Sequence, residues 1–141
     1  MEQWVESFKA MYLNLNADNV EQLKQWYGVD ATFVDPFHSV SGIDAIVHYF
    51  AAMYENVESI HFDYKWQMSN DDGTVIGWVM TFTHKKINGG KPVSVDGVSH
   101  IRIEQGKVIY HRDFFDGASM LYEQLPVLGS MIRFLKKRMA A

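Results

Sequence analysis

The 141-residue sequence contains no cysteine and only three prolines. Without cysteine the chain can form neither disulfides nor thiolate metal sites, and it has no cysteine nucleophile. Apolar residues make up 48% of the chain and aromatic residues 14%, a composition that excludes a disordered or collagen-like protein. No apolar run approaches the ~18 residues that a membrane-spanning helix needs. The length predicts one globular domain over residues 1–141.

Positive charge is also scarce, with 13 Lys and Arg against 17 Asp and Glu and a formal net charge of -4. Such a chain has no overall positive field to attract a phosphate backbone, so nucleic acid is not an expected partner. The first six residues include two acids and lack the basic and apolar regions of a secretory signal. The expected location is therefore the cytoplasm.

Helical periodicity is strongest in the N-terminal half. Apolar residues recur at helical spacing over residues 4–15 and again over residues 43–54, which predicts two amphipathic helices. A capping box at Ser41 is expected to begin the later helix, and Asn56 to end it. A shorter helix is predicted over residues 18–28, with Tyr27 on its apolar face.

From residue 60 onward the apolar period changes from 3.6 to 2, which is typical of half-buried strands. Turn sequences rich in Asn and Gly separate the alternating runs, so the pattern predicts an antiparallel meander. An earlier short strand over residues 31–34 is expected to end at Asp35, because a residue that precedes proline favours extended backbone. The four later strands are residues 60–68, 74–86, 93–103 and 107–115.

Helices followed by antiparallel strands indicate the α+β class. The predicted architecture is a cone-shaped α+β barrel, in which a curved antiparallel sheet wraps around the N-terminal helices. Such a sheet leaves a hydrophobic pocket lined by aromatic and Met side chains. On the second long strand, one face carries Trp78, Met80, Phe82 and His84.

The last strand carries the main candidate for chemistry. Asp113, His111 and Phe115 share one face, because side chains two residues apart point the same way. A carboxylate beside a histidine in an apolar pocket suits general acid–base catalysis. The structural alternatives are an ion pair between Asp113 and Arg112 and a hydrogen bond within the core. The opposite face is nearly as aromatic, which fits a sheet covered on both sides, and comprises Val108, Tyr110, Arg112 and Phe114.

Motifs for nucleotide or metal binding are missing. The sequence has no glycine-rich phosphate loop, no serine-hydrolase elbow and no zincin motif. His111 and Asp113 have the spacing of two ligands of a facial-triad iron site, but no histidine follows them to complete it. We therefore predict no metal and no cofactor, which leaves cofactor-independent acid–base chemistry.

Residues 118–141 are predicted to be helical, with breaks near Pro126 and Gly129. Four basic residues lie near the end of this stretch, and without their charges the remainder of the chain carries -8. Apolar residues between them allow an amphipathic membrane-surface helix. The favoured alternative is that the apolar residues cover the core while the charges face solvent. The basic residues are Arg133, Lys136, Lys137 and Arg138.

Four segments spread over most of the chain form a family pattern. They are Tyr12 in the first helix, Trp26 and Tyr27 ahead of residues 31–36, Gly42 at the start of the predicted helix over residues 43–54, and the terminal segment 111–116. This pattern resembles the nuclear transport factor 2-like superfamily, and within it the SnoaL-like and ketosteroid isomerase-like proteins.

The resemblance implies functional positions. The proton-shuttling aspartate of ketosteroid isomerases matches Asp35, and their oxyanion-hole tyrosine matches Tyr12. Their second oxyanion donor is a protonated aspartate, and Ser99 stands at that position, so steroid isomerase activity is not expected. The acid–base aspartate on the later strands of SnoaL-like cyclases and limonene epoxide hydrolase-like proteins most nearly matches Asp113.

The resemblance also implies a homodimer formed through the open sheet face. The expected contact is a face of small and β-branched side chains on the second long strand. Its members are Val75, Val79, Thr81 and Thr83.

The leading prediction is a cofactor-independent enzyme acting on a small hydrophobic substrate that bears a carbonyl or an epoxide. Asp113 or Asp35 would move the proton, and Tyr12, His111 and Ser99 would donate hydrogen bonds to the developing oxyanion. The alternative is a binding protein that holds a lipophilic molecule without changing it. The expected substrate-binding residues are Phe50, Trp78, Met80, Phe82, His84, Ser99 and Phe115.

Overall fold

The computed structural model describes residues 2–120 and 126–140 of the chain. Side chains in the α4 helix are described from Leu128 onward. The elements are α1 (Glu2–Leu13), a 3₁₀ helix (Val20–Gln25), β1 (Tyr27–Val34), β2 (Ser39–Ser41), α2 (Ile43–Glu55), β3 (Val57–Asn70), β4 (Gly73–His84), a 3₁₀ turn (Asn88–Gly90), β5 (Val93–Glu104), β6 (Lys107–Phe115), α3 (Gly117–Met120) and α4 (Pro126–Ala140).

The strands form one open sheet in the order β2-β1-β6-β5-β4-β3. Strands β3 to β6 make the antiparallel meander that the sequence predicts. The sheet is not antiparallel throughout, because β1 pairs in parallel with β6 and places Phe33 beside His111. The α+β class with a curved sheet around the N-terminal helices is confirmed.

The core lies between the inner face of this sheet and the helices α1 and α2. Burying these apolar side chains supplies the main force for folding. The most deeply buried members come from helices and strands alike: Val5, Leu23, Tyr27, Ile46, Ile76, Ile101 and Val108.

The predicted helix over residues 18–28 is wrong at both ends. The Asp18 side chain caps nothing there; instead the Asn16 side chain accepts the backbone N–H groups of Asp18 and Asn19. The 3₁₀ helix ends at Gln25, and Tyr27 begins β1. Pairing with β6 explains this change, since the Val108 N–H donates to the Trp26 carbonyl at 2.8 Å.

The predicted capping box at Ser41 is also wrong. Ser41 lies in β2, opposite Thr32 of β1, so it is unavailable to the helix. The N-cap of α2 is Gly42. Its φ of 93° lies in the left-handed region that glycine occupies without strain. The predicted end of this helix at Asn56 is confirmed.

Two register shifts change which residues face the core. Tyr64 pairs with Trp78 but Trp66 pairs with Gly77, so Lys65 is an extra residue in β3. Trp66 therefore lies on the outer face, although simple alternation predicts it inside. A similar shift at Ile109 separates the partners of Val108 and Tyr110. Val108 is fully buried for this reason, contrary to its predicted outward position.

The C-terminal region differs from its prediction as well. Helix α4 runs without a break through Gly129. Its apolar side chains do not cover the core, because Leu128, Met131 and Leu135 are all exposed. Residues 121–125 and the side chain of Val127 lie outside the described residues.

Candidate active site

A cavity of about 550 Å³ lies between helix α2 and the inner face of the sheet. Its wall is mainly aromatic and aliphatic. Six of the residues expected to bind substrate line this cavity: Phe50, Trp78, Met80, Phe82, His84 and Phe115. Ser99 does not reach it and lies behind Asp113, where it borders a much smaller cavity.

Asp113 stands at the inner end of the large cavity with one oxygen anchored. Ser99 lies opposite it across β5 and β6 and donates its hydroxyl to Oδ1 at 2.5 Å. His111 Nε2 lies 2.7 Å from the same oxygen. The indole N–H of Trp78 donates to the Ser99 hydroxyl at 2.9 Å and fixes its direction.

The second oxygen of Asp113 has a different environment. Oδ2 accepts no hydrogen bond from any residue that the structure describes. Buried polar side-chain atoms within the described residues all have partners, and the Asp113 side chain keeps 20% of its surface exposed. Oδ2 is therefore the oxygen that can meet a ligand in the cavity.

A line of buried hydrogen bonds continues from His111 away from Asp113. The Tyr27 hydroxyl lies 2.6 Å from His111 Nδ1, and the Tyr12 hydroxyl lies 2.5 Å from that of Tyr27. When neutral His111 donates Nε2–H to Asp113, its Nδ1 accepts from Tyr27. Tyr27 then accepts from Tyr12, so each proton in the line points toward Asp113.

Protonation of His111 reverses the donor and acceptor roles in the hydrogen bonds between His111, Tyr27 and Tyr12. Both ring nitrogens then donate, so Nδ1–H is directed at the Tyr27 oxygen. Tyr27 in turn donates to the Tyr12 oxygen, so the Tyr12 hydroxyl hydrogen is no longer used in a bond to Tyr27. Because Tyr12 also lines the large cavity, its hydroxyl can then donate to a ligand there.

The two tyrosines are hydrogen-bonding groups and not acids at neutral pH. Burial is the main reason that the pKa values of Tyr12 and Tyr27 lie well above 10, and the Asp113 charge raises them further. Burial raises the pKa values of Tyr54 and Tyr64 in the same way.

Asp35 also lines the large cavity, but both of its oxygens are occupied. Oδ1 accepts the backbone N–H groups of Phe37 at 2.8 Å and His38 at 2.9 Å. Oδ2 accepts the Tyr49 hydroxyl, and burial together with this bond raises the pKa of Tyr49. Asp35 thus closes the turn after β1, and the geometry favours Asp113 over Asp35 as a proton acceptor.

The small cavity behind Asp113 has a volume of about 30 Å³. Its wall is shared by Lys9, Ser99, His111 and Asp113 with aromatic and aliphatic side chains. Asp113 therefore borders two cavities, of which only the large one has room for a substrate.

Two further findings concern the other roles considered for Asp113, an ion pair with Arg112 and metal binding. The proposed Arg112–Asp113 ion pair is wrong, since the Arg112 guanidinium lies over the Phe114 ring at 4.5 Å. Within residues 2–120 and 126–140, no three His, Asp or Glu side chains are grouped so that they could hold a metal ion.

Sequence reasoning missed Tyr27 and Tyr49. Tyr27 was placed in a helix, so its meeting with His111 across two strands could not be inferred. Tyr49 sits one residue before Phe50 on α2, and its spacing from Asp35 gives no local signal. Only the closeness of Tyr27 to a strand-like run could have suggested a position in the sheet.

A family model described as the SnoaL-like domain matches residues 8–111. No curated protein matches the chain in sequence.

Solved structures share the fold at low sequence identity. A hypothetical protein from Catenulispora acidiphila with a ketosteroid isomerase-like fold, in complex with trimethylamine, has a TM-score of 0.72 and 20% identity over 87% of this chain and 93% of its own. An NTF2-like protein of unknown function from Burkholderia pseudomallei gives 0.73, with 14% identity over 84% and 92%. A protein from Jannaschia sp. CCS1, provisionally described as a SnoaL-like polyketide cyclase, gives 0.70, with 17% identity over 84% and 89%.

Proposed function

The chain belongs to the SnoaL-like domain family of the NTF2-like superfamily, and from that premise we propose that it is a cofactor-independent acid–base enzyme. Its proposed reaction is of the cyclase or isomerase type. The proposed substrate is a small hydrophobic molecule that bears a carbonyl or an epoxide.

The observation that carries this proposal is the asymmetry of Asp113. Oδ1 is held by Ser99 and His111, whereas Oδ2 is available at the wall of an apolar cavity. A carboxylate that is oriented but poorly solvated is suited to accept a proton from a bound substrate.

The proposed step begins with a C–H bond next to the substrate carbonyl. Its proton moves to Asp113 Oδ2, and the electron pair of that bond shifts to the carbonyl oxygen as an enolate forms. Tyr12 can donate to this oxygen when His111 is protonated. Returning the proton from Asp113 to another carbon of the substrate completes an isomerisation. In a cyclisation the enolate carbon attacks a second carbonyl carbon, the π electrons of that carbonyl move to its oxygen, and this oxygen takes the proton back from Asp113.

The charge of the cavity wall limits the substrate class. Two carboxylates, Asp113 and Asp35, line the cavity, and no Lys or Arg lines it among the residues that the structure describes. An anionic group would be disfavoured there, because no lysine or arginine side chain in the described wall could pair with it and the two carboxylates would repel it. We therefore favour a neutral substrate.

The test uses 5-nitrobenzisoxazole, a neutral aromatic compound from which a carboxylate can remove the proton on C3. Proton removal breaks its N–O bond and releases a coloured phenolate. We expect turnover by the wild-type protein and a loss of about a hundredfold or more in Asp113→Asn. Asp96→Asn is the matched control, because Asp96 is exposed on the outer face of β5.

Retained turnover in Asp113→Asn, with native circular dichroism, would refute the role of Asp113. An inactive wild-type protein that keeps an unchanged apolar molecule through purification, detected by native mass spectrometry, would support the alternative of a binding protein.

A further inference from the structure

Helix α4 carries an apolar stripe whose members are exposed in the described structure, except for the half-buried Ile132. Five residues recur at spacings of three and four and fall within about 100° of the helix circumference. The exposed fraction rises along the helix, from 40% at Leu128 to 58% at Leu135 and 89% at Met139. The stripe comprises Leu128, Met131, Ile132, Leu135 and Met139.

Helix α4 is also basic: by helical periodicity Lys136 and Arg138 lie beside this stripe, and Arg133 and Lys137 lie on the opposite side of the helix. Helix α4 contains Arg133, Lys136, Lys137 and Arg138 and no acidic residue. The remainder of the chain carries -8 by contrast. One of these residues links the helix to the body, since Lys136 Nζ lies 2.9 Å from Asp116 Oδ2. The positive charge of the chain's end is therefore concentrated on the helix that carries the exposed apolar surface.

We propose that α4 binds the surface of an anionic lipid membrane. Its apolar stripe enters the boundary between headgroups and acyl chains, Arg138 beside the stripe contacts the headgroups, and the net positive charge of the helix attracts it to the anionic surface. The helix lies in the membrane plane, because none of the described helices is long and apolar enough to cross a bilayer.

Charge argues for lipid over a second copy of the helix. Pairing two α4 stripes face to face would bring two basic helices together, and neither helix has an acidic residue of its own to offset the repulsion. An anionic surface instead neutralises those charges and covers the same apolar side chains. This surface lies outside the cavity, so the inference does not depend on the proposed enzymatic function.

Co-sedimentation with vesicles tests the electrostatic part. We expect the wild-type protein to bind vesicles of phosphatidylcholine and phosphatidylserine and to bind pure phosphatidylcholine at least ~10-fold more weakly. Lys137→Glu with Arg138→Glu should abolish binding to the anionic vesicles. Lys85→Glu with Lys86→Glu is the matched control, because both lysines are exposed and the change in net charge is the same.

A second variant tests the apolar part. Leu135→Gln with Met139→Gln leaves the charge unchanged, and both side chains are exposed, so folding should be unaffected. Binding to anionic vesicles should fall about tenfold or more. Met68→Gln, at an exposed position of β3, should bind as the wild type does.

Two results would overturn the proposal. One is failure of the wild-type protein to sediment with anionic vesicles. The other is a dimer in analytical ultracentrifugation that Leu135→Gln with Met139→Gln converts to a monomer, together with lipid binding that the same variant leaves unchanged. That second result would assign the stripe to a contact between copies of the chain.

Discussion

Asp113 and Asp35 differ in how many of their carboxylate oxygens accept hydrogen bonds from neighbouring residues. Asp35 accepts hydrogen bonds at both oxygens, from the backbone of its own turn and from Tyr49. Among the residues that the structure describes, Asp113 has hydrogen-bond partners at one oxygen only. A carboxylate needs both a fixed direction and an unoccupied lone pair to remove a proton from carbon. At the residue scale, Asp113 meets both conditions.

Tyr27 is the central link of the buried line, so its hydroxyl can be tested alone. Tyr27→Phe removes the partner of both Tyr12 and His111. Leaving such buried polar groups without partners should lower the free energy of unfolding by about 2 kcal/mol or more. Urea denaturation measures this loss.

Tyr110→Phe serves as the control for that variant. Tyr110 lies on the outer side of β6, and its hydroxyl makes no hydrogen bond within the described residues; its ring contacts His100. Its stability should change by less than about 0.5 kcal/mol. Equal losses in the two variants would show that the line contributes nothing specific.

The residues of the candidate site were only partly predictable from the sequence. Alternation along β6 is sufficient to place His111, Asp113 and Phe115 on one face. The partners that orient Asp113 come from other strands: Ser99 from β5 and Tyr27 from β1, the latter acting through His111. Such contacts depend on register and on strand order, and neither is encoded in local periodicity.

At the scale of elements, two glycines allow tryptophans to lie flat on the sheet. A Cβ at Gly97 would be 2.1 Å from the Trp78 ring, and a Cβ at Gly77 would be 2.2 Å from the Trp66 ring. Trp78 is buried at 4% exposure, whereas Trp66 is 45% exposed. The two sites therefore differ in how easily the ring can move aside.

This difference predicts unequal effects of the same substitution. Gly97→Ala should lower the free energy of unfolding by about 3 kcal/mol, because the buried Trp78 ring must shift and its indole N–H would lose the hydrogen bond to Ser99. Gly77→Ala should cost about 1 kcal/mol, because Trp66 can swing toward solvent. Thermal or urea unfolding of the pair measures both; a larger loss in Gly77→Ala would contradict the described packing.

The meander and the two long amphipathic helices were predictable because their periods persist over many residues. The errors in assigning side chains to the inner or outer face lie where one extra residue shifts the alternation of a strand. Single extra residues at Lys65 and Ile109 shift the alternation, and the residues themselves give no sign of it. Strand β2 has only three residues, too few for a period, and its formation depends on pairing with β1. The predicted homodimer contact on the outer face stays a prediction.

At the scale of the whole molecule, the interior is rich in neutral tyrosine. The pKa values of five tyrosines are raised from 10, mainly by burial: Tyr12, Tyr27, Tyr49, Tyr54 and Tyr64. These groups keep their protons in the folded protein at pH values where the unfolded chain loses them.

The sign of the pH dependence follows from this difference. Below pH 10 these tyrosines are protonated in both the folded and the unfolded protein, so their contribution to stability is fully present. Above pH 10 the unfolded state binds fewer protons, so the free energy of unfolding falls as pH rises. Urea midpoints between pH about 8 and about 11 should be flat at first and then decline.

Tyr27→Phe should show a shallower alkaline decline than the wild type, because it has one buried tyrosine fewer. Midpoints that do not fall above pH 10 in the wild type would contradict the burial of these hydroxyls.

The parallel contact between β1 and β6 has a consequence for how the chain reaches this structure. The bond between Tyr27 and His111 joins residues 84 positions apart, and β6 is the last strand to be synthesised. Contacts between distant residues form slowly because a long loop must close first. A chain still on the ribosome therefore holds α1, β1 and α2 without the histidine and aspartate of the candidate site. During refolding, the hydrogen bonds around Asp113 should form in the same late step in which β6 pairs with β1 and β5.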